Sequence, residues 1–187
     1  MPTKQIASGE SIAPWTQLRD KIFTGHDPEQ GLFRDETWSV VFTTGGLVLD
    51  ADVFDALAKA ARSIGDDQYV LLGYRDQFDQ QPAFLADWEL AALEGVAAGS
   101  VLGHIDSVSF GASGTWARYS SPEGFGVLGS TKQLMSRVLG EIGGEGAMRG
   151  RLASAVGRGE IGFGDQGKKY MKTLMTAFGW GDRAASK

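Results

Sequence analysis

The sequence predicts a single domain of the α/β or α+β class, in which four to five helices pack on a small mixed sheet. Three observations predict it. The 187 residues have the length of one domain. Hydrophobic residues make up 42% of the chain, which is enough for a buried core. Apolar stripes with helical spacing alternate with runs of β-branched and aromatic residues.

The N-terminal residues are predicted to form a tail followed by a short helix. Residues 1–12 carry no apolar periodicity, so we expect a flexible tail there and a globular domain over residues 13–187. Trp15, Leu18 and Ile22 recur at i, i+3 and i+7, which predicts a short amphipathic helix over residues 14–23.

Two strands and a helix are predicted between residues 37 and 74. The β-branched and aromatic run at 37–43 favours a strand, and the continuous apolar run at 69–74 favours a strand covered on both faces. Between them, an apolar stripe predicts a helix that starts at Asp50 or Asp52 and stops at Gly65. This order fits a parallel crossover and an antiparallel arrangement equally well.

Residues 75–128 are predicted to form a loop, a helix, a hairpin and a further short strand. Residues 75–86 are predicted to be loop, and the composition of residues 87–103 favours a short helix. Two strand-like runs, 107–110 and 115–120, flank a four-residue turn with glycine at both ends, which predicts a β-hairpin. Residues 125–128 are expected to form a further short strand.

The C-terminal third of the chain is predicted to form two helices separated by a loop. Ser130 and Gln133 have capping-box spacing, so a helix is expected from Ser130 to Gly140. Ten glycines lie in residues 140–167, which predicts mostly loop with one helical turn at 147–156. A last helix is expected from Asp165 or Gly167, because the apolar residues after it share one face.

The composition excludes several classes of protein. The chain has no cysteine, which rules out a disulfide scaffold, a thiolate zinc site and a cysteine nucleophile. Residues 1–12 have no apolar run typical of a signal peptide, and no stretch of about 18 apolar residues occurs. We therefore expect a soluble cytoplasmic protein without a membrane span.

Charge is distributed unevenly along the chain. Residues 1–107 hold seven basic and 17 acidic side chains, a balance of −10, whereas residues 108–187 have a balance of +5. Either the folded chain interleaves these charges as solvated faces, or an acidic face meets a basic partner. Nucleic-acid binding by the basic C-terminal part is disfavoured, because the chain as a whole carries a net charge of −5.

Glycine-rich motifs do not indicate a cofactor. The pattern G-x-G-x-x-G occurs at 157–162 and again at 162–167, and G-x-x-x-x-G-K occurs at 162–168. A dinucleotide fingerprint needs a preceding strand, and a phosphate-binding loop needs Ser or Thr where this chain has Lys169. Neither context is met, so no cofactor is expected.

The histidines indicate no metal site. The chain has only two histidines, His26 and His104, and no sequence motif indicates a third metal ligand near either of them. The pair His104 and Asp106 remains the strongest candidate for a catalytic site, although no nucleophile motif accompanies it. We predict no catalytic residue and no metal.

Residues 106–139 carry a resemblance to a known group of proteins. They contain a hairpin ending in GTW, an SSPE turn, an FGVLG strand and a capped helix. This segment resembles C-terminal segments of bacterial immunity proteins, the cytosolic partners that neutralise toxins of contact-dependent or type VI delivery systems. In those proteins a second glycine often stands where this chain has Ser130.

The resemblance implies a binding protein without chemistry of its own. Such a protein neutralises its cognate toxin by tight stoichiometric binding, often over the toxin's active site, and acts as a monomer or small homo-oligomer. An acidic face suits a basic nuclease toxin. The partner-binding residues predicted in the acidic half are Asp66, Asp67, Asp76 and Asp79, with Trp88 as an aromatic anchor.

Two other functions stay open from the sequence. One is a small enzyme whose site lies near His104 and Asp106. The other is a structural or adaptor protein of a phage or a secretion system, which predicts self-assembly into large particles.

Overall fold

The computed structural model describes residues 3–6, 12–76, 82–162 and 164–180. Within them the chain forms seven strands and six α-helices. The strands are β1 Thr3–Gln5, β2 Ser39–Thr44, β3 Gln68–Gly73, β4 Phe84–Asp87, β5 Ser107–Gly111, β6 Trp116–Ser121 and β7 Phe125–Ser130. The helices are α1 Ala13–Ile22, α2 Ala51–Arg62, α3 Leu90–Gly99, α4 Lys132–Glu141, α5 Gly144–Arg158 and α6 Gly164–Ala177.

The strands form one sheet in the order β1-β4-β3-β5-β6-β7-β2. The α+β class is therefore confirmed. The expected mixed sheet is wrong, because every neighbouring pair is antiparallel. The strands β2 and β3 do run in the same direction, but β5, β6 and β7 lie between them, so α2 does not connect neighbouring strands.

Two strands form where none was expected. The strand β1 lies within the predicted tail and pairs with β4, with Lys4 opposite Leu85. The strand β4 lies within the segment predicted to be loop except for Asp87, which falls in the predicted helix, and it also pairs with β3. Both are short, and their pairing with a neighbour rather than any alternation in their own sequence places them in the sheet.

The helix α5 corrects the prediction of a loop over residues 140–167. Met148, Leu152 and Ala155 form its buried face, and the helix packs against β2. This packing outweighs the low helix propensity of the glycines within it. Gly143 and Gly159 have positive φ angles of 86° and 74° and lie just outside its two ends.

The start of α4 differs from the predicted capping box. Ser130 is the last residue of β7 and pairs with Trp116 and Ser39. Its hydroxyl donates to the carbonyl of Thr131, and the helix begins at Lys132. The capping box is wrong because the β7 ladder extends two residues further than its apolar run.

One face of the sheet carries an aromatic cluster. The ring centroids of Tyr69 and Trp88 lie 4.5 Å apart, and those of Trp88 and Trp116 lie 5.4 Å apart. Phe54 of α2 contacts both Tyr69 and Trp88. The cluster is buried and joins α2 to the strands β3 and β6.

A buried arginine lies on β6 beside this cluster. Arg118 is 1% exposed, and its guanidinium donates to the carbonyls of Gly45 and Gly46 at 2.7 Å and to Ser120 Oγ at 2.6 Å. It also donates to Thr43 Oγ1. Burial lowers the pKa of Arg118 to about 9, so the guanidinium stays charged at neutral pH.

A buried aspartate joins the α2–β3 turn to the β5–β6 hairpin. Asp66 is 3% exposed, and its carboxylate accepts hydrogen bonds from Ser113 N, Ser113 Oγ and Trp116 Nε1 at 2.6–2.9 Å. Its carbonyl accepts a hydrogen bond from Trp88 Nε1 at 2.8 Å. These bonds compensate for the desolvation of the carboxylate.

The first testable change is Tyr69→Phe. The Tyr69 hydroxyl is buried and has no hydrogen-bond partner among the described residues, so its removal should raise the free energy of unfolding by about 1 kcal/mol. Urea denaturation at pH 7 measures this. Tyr119→Phe is the matched control, because it removes a hydroxyl that is hydrogen-bonded and should lower stability. Equal losses in both variants would contradict the assignment.

The second change is Arg118→Met, which keeps the apolar stem and removes the five donors. The carbonyls of Gly45 and Gly46 would then lack a partner inside the protein, so we expect a loss of about 3 kcal/mol in unfolding free energy. Arg158→Met, at an exposed ion pair, should leave the denaturation midpoint nearly unchanged. A fully stable Arg118→Met variant would show that the loop does not depend on the guanidinium.

Candidate functional site

The candidate site lies at the end of the sheet where β3 finishes and β5 begins. The backbone N–H of Tyr74, directly after β3, donates to the carbonyl of Asp106, directly before β5, at 2.9 Å. The Tyr74 hydroxyl donates to the carbonyl of His26 at 2.7 Å. Tyr74 thus joins these two strands to the loop that leads into the 3₁₀ helix Pro28–Gln30.

Arg19 holds the segment after β3 against α1. Its side chain is buried, and it donates to Asp76 at 2.8 Å, to Asp20 at 2.9 Å and to the carbonyl of Gly73 at 3.3 Å. Burial opposes the charge, but the hydrogen bonds to Asp76 and Asp20 leave the pKa of Arg19 raised. Both carboxylates are more than 60% exposed, so the pairs present acidic oxygens to solvent.

A second arginine lies on the same segment. Arg75 donates to Asp27 at 2.8 Å, and its guanidinium carbon lies 5.5 Å from the centre of the Tyr74 ring. The hydrogen bond to Asp27 raises the pKa of Arg75. This ion pair links the end of β3 to the loop before the 3₁₀ helix.

Asp106 is the half-buried carboxylate of this site. It accepts a hydrogen bond from the Tyr119 hydroxyl at 2.7 Å. Burial raises the pKa of Asp106, and nearby Glu123 adds to the increase, whereas the Tyr119 hydrogen bond and Arg75 act against it. The protein therefore keeps a carboxyl group where the charged form is disfavoured.

Aromatic rings form the base of the site and connect it to α6. Tyr119 contacts Tyr74 and Phe125, and Phe125 contacts Tyr170 of α6 at 6.2 Å between ring centroids. Burial raises the pKa of Tyr170 to about 12, and the negative charges of Asp106, Glu29 and Asp27 add to the increase. The charges of these carboxylates therefore act on the Tyr170 hydroxyl.

We call this arrangement the acidic end. Six carboxylates belong to it, contributed by α1, the loop and 3₁₀ helix at 26–30, the segment after β3, the residue before β5 and the β6–β7 turn. They are Asp20, Asp27, Glu29, Asp76, Asp106 and Glu123. Arg19 and Arg75 offset two of these negative charges, so the surface stays net acidic and favours encounter with a basic macromolecule.

The structure separates the residues that were predicted to form one acidic face. Asp76 belongs to the acidic end, whereas Asp67 precedes β3 and is exposed at the opposite end of that strand. A six-residue strand places them roughly 20 Å apart, too far to share one contact. Asp79 lies outside the described residues.

Asp66 and Trp88 do not fit the predicted interface. Asp66 is 3% exposed and Trp88 is 6% exposed, and both belong to the interior described above. Both side chains therefore offer little surface to a partner, and an acidic turn and a lone tryptophan are equally typical of a surface and of a buried hydrogen-bonded pair. The hydrogen bond from Trp88 Nε1 to the Asp66 carbonyl joins the two residues within the interior.

His104 and Asp106, the pair considered for a catalytic site, lie in different environments. His104 is exposed directly after the 3₁₀ helix Val101–Gly103, whereas Asp106 is hydrogen-bonded to Tyr119. Over the described part of the chain, no group of three His, Asp or Glu residues is arranged to hold a metal ion. Nor does any helix there have the length and apolar character needed to cross a bilayer.

A polar cleft of about 410 Å³ lies between β2, α2 and α5. Its two arginines already bind carboxylates of the same chain: Arg151 pairs with Asp52, and Arg158 pairs with Glu160. The Thr44 hydroxyl donates to Asp50 at its floor. Because its arginines are paired within the chain, this cleft is not chosen as the candidate site.

Sequence reasoning missed most of the acidic end. Asp20, Asp27 and Glu29 are polar residues of a helix end and a loop, with no spacing that marks a site. Tyr74 and Tyr119 do carry a signal, because each is a polar-tipped aromatic at or near the end of a strand. Only the antiparallel pairing of β5 with β3 and β6 brings them together.

Comparisons of this chain with protein-family models, curated proteins and solved structures find no match.

The third testable change is Asp106→Asn. Its raised pKa means that the ionised form costs stability at pH 7, and the amide still accepts the Tyr119 hydrogen bond. The melting temperature at pH 7 should therefore rise by roughly 1–3 °C. This gain should shrink as the pH falls through the raised pKa, because the wild-type carboxyl then takes up its proton in the folded state.

Thermal melts of wild type and variant from pH 4 to pH 8 measure the difference. A variant that is less stable than wild type at pH 7, with a gap that narrows in acid, would show that the Asp106 charge stabilises the fold instead.

Proposed function

We propose that this chain is a non-enzymatic immunity protein that binds a cognate secreted bacterial toxin and neutralises it, with the acidic end covering the toxin's active site. The partner is a basic protein, as expected for a toxin that acts on nucleic acid. The delivery route is that of contact-dependent or type VI systems, and the complex forms in the cytoplasm.

The observation that carries the proposal is the acidic end, above all Asp106. A carboxyl group with a raised pKa destabilises the fold at neutral pH, and such groups are concentrated at functional sites. A cation of a partner would favour the charged form of Asp106 and so relieve this cost on binding. Exposed Asp20 and Asp76 would steer the encounter.

The segment that resembles immunity proteins also contributes to the acidic end. Residues 106–139 comprise Asp106, the strands β5, β6 and β7, and most of α4. They supply Asp106, Tyr119 and Glu123 to the acidic end. The segment that resembles immunity proteins is thus also the segment that builds part of the charged surface.

The function is tested by co-expression with the product of the neighbouring gene. Affinity purification of the tagged chain should recover one partner in a 1:1 complex. That partner should arrest growth when expressed alone and be harmless when expressed with this chain. Recovery of a non-toxic partner, or growth arrest that persists in the complex, would contradict the proposal.

The fourth testable change is the double substitution Asp27→Lys and Glu29→Lys. Both residues are exposed members of the acidic end, so charge reversal should raise the Kd for the basic partner at least tenfold at 50 mM salt, mainly by slowing association. The effect should shrink at 500 mM salt because charge is screened. Biolayer interferometry at both salt concentrations measures it.

A matched control is Glu36→Lys with Asp67→Lys. It makes the same change in net charge at exposed positions that precede β2 and β3, at the other end of the sheet. The control should leave the Kd within about threefold of wild type. Equal weakening by both pairs would mean that only net charge matters and that the acidic end is not the contact surface.

An enzyme remains the alternative, and one observation favours it. A half-buried carboxyl with a raised pKa beside the Tyr119 hydroxyl is also typical of a general acid. The two functions differ in their dependence on Asp106. An enzyme loses turnover completely in Asp106→Asn, whereas an immunity protein keeps stoichiometric binding that is weakened but measurable.

A further inference from the structure

A small cleft lies at the end of β3 opposite the acidic end. It has a volume of about 240 Å³ and is lined by residues of α1, the turn before β3, the strand β4 and the β5–β6 turn. Trp15 and Leu85, both half-buried, give it apolar walls, and Asp67 is the exposed carboxylate that lines it. We call it the Trp15 cleft.

Trp15 offers an aromatic surface that the fold leaves open. Its side chain packs on the edge of the core, but its ring contacts no other aromatic ring and its Nε1 donates no hydrogen bond within the described part of the chain. In contrast, the indole N–H groups of Trp88, Trp116 and Trp180 each donate to an acceptor of the protein. The Trp15 indole is therefore available to a ligand in the cleft.

The charges at the Trp15 cleft are negative and are not neutralised by the protein. Asp67 makes no ion pair or hydrogen bond with any described residue. Asp87, opposite Gln68 on the neighbouring strand, accepts a hydrogen bond from the uncharged amide of Gln68 at 2.7 Å. Lys4 lies opposite Leu85 on β1, but no basic residue lines the cleft. The cleft is therefore complementary to a cation.

We propose that the Trp15 cleft binds an arginine side chain of a partner protein. A guanidinium can lie flat on the Trp15 indole and pair with the Asp67 carboxylate at the same time. Its aliphatic stem would contact Leu85, and the indole N–H would donate to a backbone carbonyl of the partner. The volume is below the roughly 300–1,000 Å³ of clefts that hold drug-sized ligands, so a single side chain is the occupant that fits.

The proposal does not rest on the immunity function. A partner at the Trp15 cleft contacts the start of β3, whereas the acidic end lies beyond the last residue of that strand. The two sites also differ in kind, because the acidic end is a broad charged surface and the cleft takes one side chain. Both can be occupied in the same molecule.

The probe for the test is the peptide acetyl-Gly-Arg-Gly-amide, with acetyl-Gly-Gln-Gly-amide as the uncharged control. In the nitrogen-15-labelled full chain, the indole N–H signal of Trp15 is the one that disappears in Trp15→Phe. The arginine peptide at millimolar concentration and 50 mM salt should shift this signal saturably and leave those of Trp88 and Trp180 in place. The glutamine peptide should give no saturable shift because it lacks the charge.

Asp67→Lys should raise the Kd for the arginine peptide at least fivefold, because it replaces an attracting charge by a repelling one. Asp55→Lys is the matched control, since it makes the same change in net charge at an exposed position of α2 outside the cleft. This control should bind the peptide as wild type does. No saturable Trp15 shift in wild type, equal binding of the glutamine peptide, or equal weakening by both substitutions overturns the proposal.

A second measurement identifies a different occupant. The Trp15 indole signal of the chain alone should stay in place over a tenfold range of protein concentration. If it moves with concentration, a second copy of this chain covers the cleft, and the proposal of a partner's arginine is wrong. Failure of the chain to neutralise the product of the neighbouring gene, with intact binding of the arginine peptide, would instead refute the immunity function alone.

Discussion

The buried guanidinium of Arg118 joins β6 to β2 and to the loop that follows β2. From β6 it reaches the hydroxyl of Thr43 on β2 and the carbonyls of Gly45 and Gly46 in the loop that follows. On β7, a Cβ at Gly126 would lie 2.4 Å from this guanidinium, so the contact also requires glycine there. Its donors thus pair with the carbonyls of the loop that leads from β2 to α2. The helix α2, which follows this loop, packs Phe54 on the aromatic cluster.

How far the sequence predicts the fold depends on whether an element carries its own pattern. The helices α1, α2 and α6 and the hairpin β5–β6 have clear periodicity and form close to where they are expected. The strands β1 and β4 have none and exist because each pairs with a neighbour. The helix α5 contains several glycines, and its burial against β2 overrides their propensity. Local pattern therefore predicts elements, whereas pairing and packing decide the remainder.

The site was less predictable than the fold because it is assembled from distant segments. The acidic half of the sequence predicts a charged surface, yet Asp66 lies inside and Asp67 lies at the end of β3 opposite the acidic end. What unites the acidic end is the antiparallel register that sets Asp106 beside Tyr74 and Tyr119. The number of acidic residues in a segment does not show which of their carboxylates are buried and hydrogen-bonded inside the protein. Asp66 shows that distinction, since three donors occupy its carboxylate.

The central claim is that a basic toxin contacts the acidic end. Hydrogen–deuterium exchange of the free chain and of the purified complex tests it most directly, because it maps protection along the backbone without any substitution. We expect protection on binding to concentrate in the 26–30 loop, the segment after β3 and the β6–β7 turn around Glu123. Protection confined to α2, α4 or the β5–β6 turn, with the acidic end exchanging as in the free chain, would contradict it.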